Sequence, residues 1–244
     1  MIPEAAARLW EGCAAMGIEL DGGQRERFVA FDALLAEANA AIDLTAVLDP
    51  LEAVDRHYLD SLTALRRPGW IPQGARIVDV GAGAGFPGIP LLIARPDIEA
   101  VLLDAQRKRV DFLRRAIEAL GLRAQAIHAR AEDAAHRAGH RERYDVAVAR
   151  AVAGLPALLE LTLPLVRVGG RALAWKGPAV LEEFESASRA ARLLGGSLRA
   201  PEPAPVPGRD WNHLLIAAEK EAKTVRQYPR KAGAPARKPL GIVP

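Results

Sequence analysis

The 244-residue sequence has little of what marks a secreted or membrane-bound protein. Its single cysteine, Cys13, cannot form a disulfide within the chain, and its apolar neighbours favour a position in the core. Apolar runs such as residues 89–94 are far shorter than the ~20 residues of a membrane-spanning helix. The N-terminus also lacks the basic flank and apolar stretch of a secretory signal. These absences favour a cytosolic protein.

Patterns for metal binding or nucleophilic catalysis are also missing. His136 and His140 have the i, i+4 spacing of helical metal ligands, but the intervening glutamate and a third ligand are lacking. No nucleophile elbow accompanies any histidine. We therefore expect no metal site and propose no nucleophilic catalyst.

Acidic residues are absent from the end of the chain. Residues 222–244 contain six Lys or Arg and no Asp or Glu, and the remainder has 27 basic and 30 acidic residues. The tail therefore carries a charge of +6 and the remainder −3, which together give the net charge of +3. Such a tail suits an anionic partner such as RNA, although a solvated tail without a partner has the same composition.

Glycine is concentrated in residues 77–88, IVDVGAGAGFPG. An apolar, β-branched run followed by alternating glycines is typical of a buried strand that turns tightly into a helix and holds a nucleotide-like ligand. Residues 83–88 also match the dinucleotide pattern G-x-G-x-x-G. However, Asp79 would repel a diphosphate at this turn and attract a cationic ligand. A plain glycine-rich turn without a ligand is the third interpretation.

The periodicity of apolar residues divides the chain into three parts. The pattern predicts helices in residues 1–70 and alternating strands and helices in residues 71–221. Residues 222–244 form the tail. The alternation predicts an α/β fold with a mostly parallel sheet covered on both faces. We predict seven strands, the last two hairpin-like: 76–80, 100–103, 124–128, 144–149, 171–175, 197–200 and 213–218.

Candidate site residues follow the predicted strands, where open α/β sheets bind ligands. Asp104 follows the second strand and can accept both ribose hydroxyls, or it can pair as an exposed acid with Arg107, Lys108 or Arg109. Ala131 and Glu132 follow the third strand, where a backbone amide could contact adenine. Arg150 and Lys176 follow the fourth and fifth strands. Two cations there favour an anionic substrate and an acceptor without a proton to lose, such as guanine N7, whereas structural ion pairs are the alternative.

Several stretches together resemble one known family. The D-x-G-x-G-x-G pattern beginning at Asp79 resembles motif I of class I S-adenosylmethionine-dependent methyltransferases. Four stretches are similar to the ribosomal RNA small subunit methyltransferase G family, also called glucose-inhibited division protein B. They are residues 80–91, the turn 150–153, Lys176-Gly177 and residues 228–235. Residues 43–47 (DLTAV) and 57–62 (HYLDSL) resemble that family's Asn-Leu-Thr-Ala-Ile and His-x-x-Asp-Ser-Leu blocks. Asp43 and Ala38 depart from the usual Asn and the frequent Trp.

The resemblance implies methyl transfer from S-adenosylmethionine to N7 of a guanine in small-subunit (16S) ribosomal RNA, in free RNA or in the 30S particle. Because that acceptor has no proton to lose, we assign no catalytic acid or base. We also expect a monomer. It implies a class I methyltransferase fold, Rossmann-like, with a helical N-terminal extension. We expect RNA contacts from the two cations after the fourth and fifth strands and from two in the tail. The expected cofactor residues are Gly81, Gly83, Phe86, Asp104, Ala105, Gln106, Ala131, Glu132 and Arg150, and the expected RNA contacts are Arg150, Lys176, Arg230 and Lys231.

Two other classes of protein remain open from the residues alone. A nicotinamide-dependent oxidoreductase would use the same glycines to bind a diphosphate. A non-catalytic RNA-binding protein would use the basic tail and would bind RNA whether or not the cofactor is present.

Overall fold

A computed structural model of the chain describes residues 1–242. Its centre is one sheet, whose strands are β1 (Arg76–Val80), β2 (Glu99–Asp104), β3 (Ala124–His128), β4 (Tyr144–Arg150), β5 (Val166–Lys176), β6 (Gly196–Leu198), β7 (Glu202–Pro203) and β8 (Leu214–Lys220). Their order across the sheet is β3-β2-β1-β4-β5-β8-β6. Strands β1 to β5 are mutually parallel, and β8 runs antiparallel to β5 and β6. The predicted α/β class and parallel sheet are confirmed, and the two-residue β7, paired with β8, adds an eighth strand to the predicted seven.

Helices precede the sheet and alternate with its strands. Within residues 1–242 they are α1 (Pro3–Ala15), α2 (Gly22–Ile42), α3 (Pro50–Ala53), α4 (Asp60–Leu62), α5 (Gly88–Ala94), α6 (Arg107–Leu120), α7 (Ala131–Ala134), α8 (Leu155–Thr162), α9 (Val180–Leu193) and α10 (Ala234–Arg237). A π-helical turn (Val54–Leu59) joins α3 to α4, and a 3-10 turn (Thr63–Arg66) follows α4. None of these helices has the length and apolarity needed to cross a bilayer.

The two faces of the sheet pack against different layers. Side chains alternate along a strand, so Ile77 joins the cluster under α1, α2, α5 and α6, whereas Val78 and Val80 join the cluster under α8 and α9. The N-terminal helices therefore share a core with the face of β1 that carries Ile77 and Asp79. This places residues of the N-terminal segment beside the glycine turn.

One helix predicted in the N-terminal segment is interrupted in a way that the sequence does not reveal. Apolar spacing predicts one helix from Pro50 to about Leu65, but residues 54–59 are wound as a π-turn. The wider winding changes the direction of the side chains that follow. Because π-turns often lie at functional sites, the residues on this turn are candidates for the site.

The C-terminal segment lies against the α/β core. Thr224, Pro229 and Pro235 are buried, and the Arg141 guanidinium donates to the backbone carbonyls of Thr224 (2.7 Å) and Tyr228 (2.9 Å). The division into residues 1–70, 71–221 and 222–244 stays a prediction, and residues 243–244 lie outside the described part. Up to residue 242, the segment is held by the core.

Candidate active site

The glycine turn after β1 lies at the carboxyl edge of the sheet. Gly81, Gly83 and Gly85 have φ values of +73°, +55° and +96°, which strain any residue with a Cβ. A Cβ on Gly81 would also come within 2.8 Å of Val152 Cγ2, on the loop after β4. Gly81 therefore brings the first turn and the loop after β4 into close contact.

Asp79 lies beneath this turn and is fully buried. Its Oδ2 accepts the backbone N–H of Gly88 at 2.8 Å, while Oδ1 has no hydrogen-bond partner among the described residues. Burial raises the pKa of this carboxyl to about 7. A buried carboxyl oxygen without a partner is costly, so the site favours a cation or a donor near Asp79.

Asp104, at the end of β2, braces the glycine turn. Its Oδ2 accepts the Gly83 N–H at 2.9 Å, and its Oδ1 accepts the Gln106 N–H at 2.7 Å. The alternative arginine pairing is loose, with Arg109 at 3.9 Å. Because each carboxylate oxygen has a second lone pair, the predicted ribose contact stays compatible with both bonds. Gln106 and its neighbour Ala105 are exposed at the same edge.

Phe86 belongs to an aromatic cluster that the N-terminal helices complete. The His57 ring stacks on Phe86 with centroids 4.7 Å apart and planes 20° apart, and Tyr58 meets it edge-on at 5.4 Å. Burial, aided by the nearby Arg150 charge, lowers the pKa of His57 to about 4. His57 is therefore a neutral ring at neutral pH, and its Nε2 lies 2.7 Å from the Thr45 hydroxyl.

Arg150 is held by the N-terminal segment. It follows the predicted fourth strand and is the last residue of the observed β4. Its Nη1 donates to Asp60 Oδ2 and to the Arg56 carbonyl, both at 2.8 Å. The guanidinium carbon lies 5.3 Å from the centre of the Phe86 ring. The structural ion pair that the sequence left open is therefore present. Because this pair fixes the guanidinium plane beside Phe86, it also positions Arg150 at the edge of the site.

The neighbouring strand end supplies the second predicted cation. Arg150 pairs with Trp175 in the β4–β5 register, so Lys176 lies one residue further along this edge. The Lys176 ammonium donates to the Ala153 carbonyl, and burial lowers its pKa. Ala151, next to Arg150, has φ of +56°, a conformation rare for a residue with a Cβ and often found at functional sites.

The remaining predicted residues lie near the C-terminal segment. Ala131 and Glu132 begin α7 and are buried, and Glu132 Oε1 accepts the Gly233 N–H at 2.9 Å. Arg230 donates to both carboxylate oxygens of Glu160, which is fully buried. Lys231 is exposed. The guanidinium of Arg230 is thus bound to the protein itself, whereas Lys231 presents its charge to solvent.

The structure adds residues to which the sequence assigned no role. Asp60 is 4% exposed and binds Arg150 through Oδ2 and His213 Nδ1 through Oδ1, the latter at 2.9 Å. Its backbone carbonyl accepts the indole N–H of Trp175 at 2.8 Å. The only signal for Asp60 and His57 is the block 57–62, since nothing in their local pattern indicates partners so distant in the chain.

Comparison with solved structures identifies the class of fold. The chain aligns with a branched-chain polyamine synthase from Thermus thermophilus at 18% identity and a TM-score of 0.57, covering 87% of this chain and 70% of that one. It aligns with a predicted O-methyltransferase from Agrobacterium tumefaciens at 22% identity and a TM-score of 0.50, covering 68% and 82%. The parallel sheet and the glycine turn after its first strand have the architecture of class I S-adenosylmethionine-dependent methyltransferases.

Sequence comparison identifies the family within that class. A family model described as rRNA small subunit methyltransferase G matches residues 24–200. Ribosomal RNA small subunit methyltransferase G of Alkaliphilus metalliredigens is 39% identical over 97% of this chain and 99% of its own length. The protein of the same name from Desulforamulus reducens is 42% identical over 95% and 97%. The chain belongs to the rRNA small subunit methyltransferase G family and is a methyltransferase of small-subunit ribosomal RNA.

Proposed function

We propose that this protein transfers the methyl group of S-adenosylmethionine to N7 of one guanine in small-subunit ribosomal RNA, in the cytoplasm. The observation that carries the proposal is the placement of two features within the family match. The glycine turn over buried Asp79 lies at the same sheet edge as the Arg150 and Lys176 pair. The first suits a cationic donor, and the second suits an electron-rich acceptor.

The residues around the turn fit S-adenosylmethionine better than a dinucleotide. The cofactor carries an ammonium and a sulfonium, and Asp79 offers a carboxyl whose Oδ1 has no hydrogen-bond partner within residues 1–242. Asp104 places a second buried carboxyl at the end of the next strand. Such a carboxyl can accept the ribose hydroxyls of either ligand, so the preference rests on Asp79, whose ionised form would repel a diphosphate at the turn. The glycines let the ligand approach the backbone closely.

When bound, S-adenosylmethionine would supply an electrophilic methyl carbon, whose bond to sulfur breaks as the acceptor bonds to it and S-adenosylhomocysteine leaves as a neutral thioether. Guanine N7 attacks through a ring lone pair and has no proton to lose, so no residue is needed as a general base. Arg150 and Lys176 would orient the base and its phosphate, since Arg and Lys commonly contact guanine O6 and phosphate groups. Alignment of donor and acceptor then supplies most of the rate.

The product identifies the acceptor atom. The purified protein is incubated with methyl-labelled S-adenosylmethionine and with 30S particles, or their ribosomal RNA, from cells that lack this modification. Nucleoside mass spectrometry should find label in 7-methylguanosine. Label in an exocyclic amine or in ribose would refute the assignment of N7. At saturating S-adenosylmethionine, the rate should be flat with pH across the range in which no RNA contact titrates.

A further inference from the structure

The loop between β7 and β8, residues 204–213, is fastened to the N-terminal helices. The Arg8 guanidinium donates to the Pro207 carbonyl. Arg209 Nε donates to Asp55 Oδ2 at 2.6 Å, and Asp55 is buried. These contacts hold the middle of the loop in place. Trp211, in the same loop, is only partly buried.

Planar groups surround the Trp211 ring. The guanidinium carbon of Arg56 lies 4.7 Å from the ring centre, and that of Arg209 lies 5.2 Å from it. The His213 ring centre is 5.2 Å away, with the two planes 31° apart. We call Arg56, Arg209, Trp211 and His213 the Trp211 cluster. Three planar side chains thus lie against an indole that is itself partly exposed, and planar groups of these kinds stack on bases.

Carboxylates neutralise the two guanidinium groups of the cluster. Glu52 contacts Arg56 at 2.6 Å and Arg209 at 3.1 Å, and Asp55 contacts Arg209 at 2.6 Å. Asp210 adds another negative charge to the loop. Because the acids bind the N–H edges, they hold the planes in position and cancel most of the charge. The cluster therefore favours a flat partner over a phosphate.

The cluster adjoins the edge of the site that carries Arg150. His213 Nδ1 donates to Asp60 Oδ1, and Asp60 Oδ2 accepts from Arg150. The backbone carbonyl of Arg56 accepts from the same guanidinium. Asp60 thus connects the Trp211 cluster with the residue proposed to orient the target base, and a nucleotide beside the target would lie within reach of Trp211.

We propose that the Trp211 cluster stacks an unpaired RNA base adjacent to the target guanine. This inference rests on the proposed function, since it requires an RNA substrate. Sequence-specific RNA recognition mostly uses unpaired bases stacked on aromatic rings or guanidinium planes. Stacking tolerates any base and adds little salt dependence, because it releases no counterions from phosphate.

Binding to 30S particles lacking the modification tests the cluster. Trp211→Leu should weaken binding about ten-fold, with an unchanged salt slope and unchanged affinity for S-adenosylmethionine. Trp211→Phe should bind within about two-fold of the wild type, because a flat ring remains. Trp10→Leu is the matched control: Trp10 also lies near a guanidinium, that of Arg25 at 5.5 Å, but it packs on Phe28.

A second variant tests the cluster without replacing Trp211, so the test holds even if Trp211→Leu fails to fold. Arg56 is half exposed, so Arg56→Lys should fold, and it keeps the charge while losing the plane. It should weaken particle binding about three-fold. The inference is overturned if Trp211→Leu and Arg56→Lys bind like the wild type, if the salt slope falls, or if cofactor affinity falls in parallel. A wild-type protein that binds particles but yields no 7-methylguanosine contradicts the proposed function and leaves this binding test valid.

Discussion

Replacing Arg230 should destabilise the fold, because its partner is a fully buried acid. The Glu160 carboxylate accepts from Arg230 Nε at 2.9 Å, from Arg230 Nη2 at 2.6 Å and from the Arg230 backbone N–H at 2.7 Å. Arg230→Ala keeps the backbone bond and removes the guanidinium. Breaking one partner of a buried ion pair costs about 3–5 kcal/mol. Since 30% of the Arg230 side chain is exposed, water offsets part of this cost, and we expect about 2–4 kcal/mol.

Equilibrium unfolding in urea, followed by circular dichroism, measures this loss. With an m-value of about 2–3 kcal/mol/M, the midpoint should fall by about 1 M. Lys231→Ala is the matched control, since this neighbouring side chain is exposed and should change stability by less than about 0.5 kcal/mol. Adding Glu160→Gln to Arg230→Ala should recover part of the loss by removing the unpaired charge. Equal stability of Arg230→Ala and Lys231→Ala would refute the reasoning.

Three further predictions concern the cofactor and RNA. Asp104→Ala should weaken S-adenosylmethionine binding by about 1–3 kcal/mol in calorimetry, through lost charge-assisted hydrogen bonds, and unchanged affinity would remove the ribose assignment. The folded-state pKa of Asp79 is raised to about 7 from 3.8, so the native state binds the extra proton and its stability falls as pH rises from about 4 to 7. Asp79→Asn, which can still accept the Gly88 N–H, should flatten this dependence in thermal unfolding while weakening cofactor binding, and an unaltered pH profile would contradict the shift. Lys231→Ala should lower the salt slope of RNA binding by up to about one unit at unchanged cofactor affinity, whereas a wild-type slope would show that this charge is only solvated.

Local sequence pattern was sufficient to predict most strands of the sheet and the glycine turn. Strands β1 and β3 begin and end at the predicted residues, because apolar alternation and neighbouring turn residues are encoded within a few positions. β5 begins at Val166, five residues before its predicted start at Arg171. The added residues include Gly169 and Gly170, which read as a turn in the sequence, while Val166 pairs with Tyr144 across a register shift. That pairing depends on a strand more than twenty residues away.

Charge and motif also indicated from the sequence alone which residues could bind a cationic donor, since Asp79 and Asp104 lie at fixed distances from the glycines. What only the tertiary structure decided was the partner of each charge. Arg150 and Asp60 are 90 residues apart, and Arg230 and Glu160 are 70 apart. Local sequence carries no signal for such pairs, because a buried ion pair forms only where folding excludes water around both groups. Composition therefore predicted a basic tail, whereas packing determined that Arg230 faces a buried acid and Lys231 faces solvent.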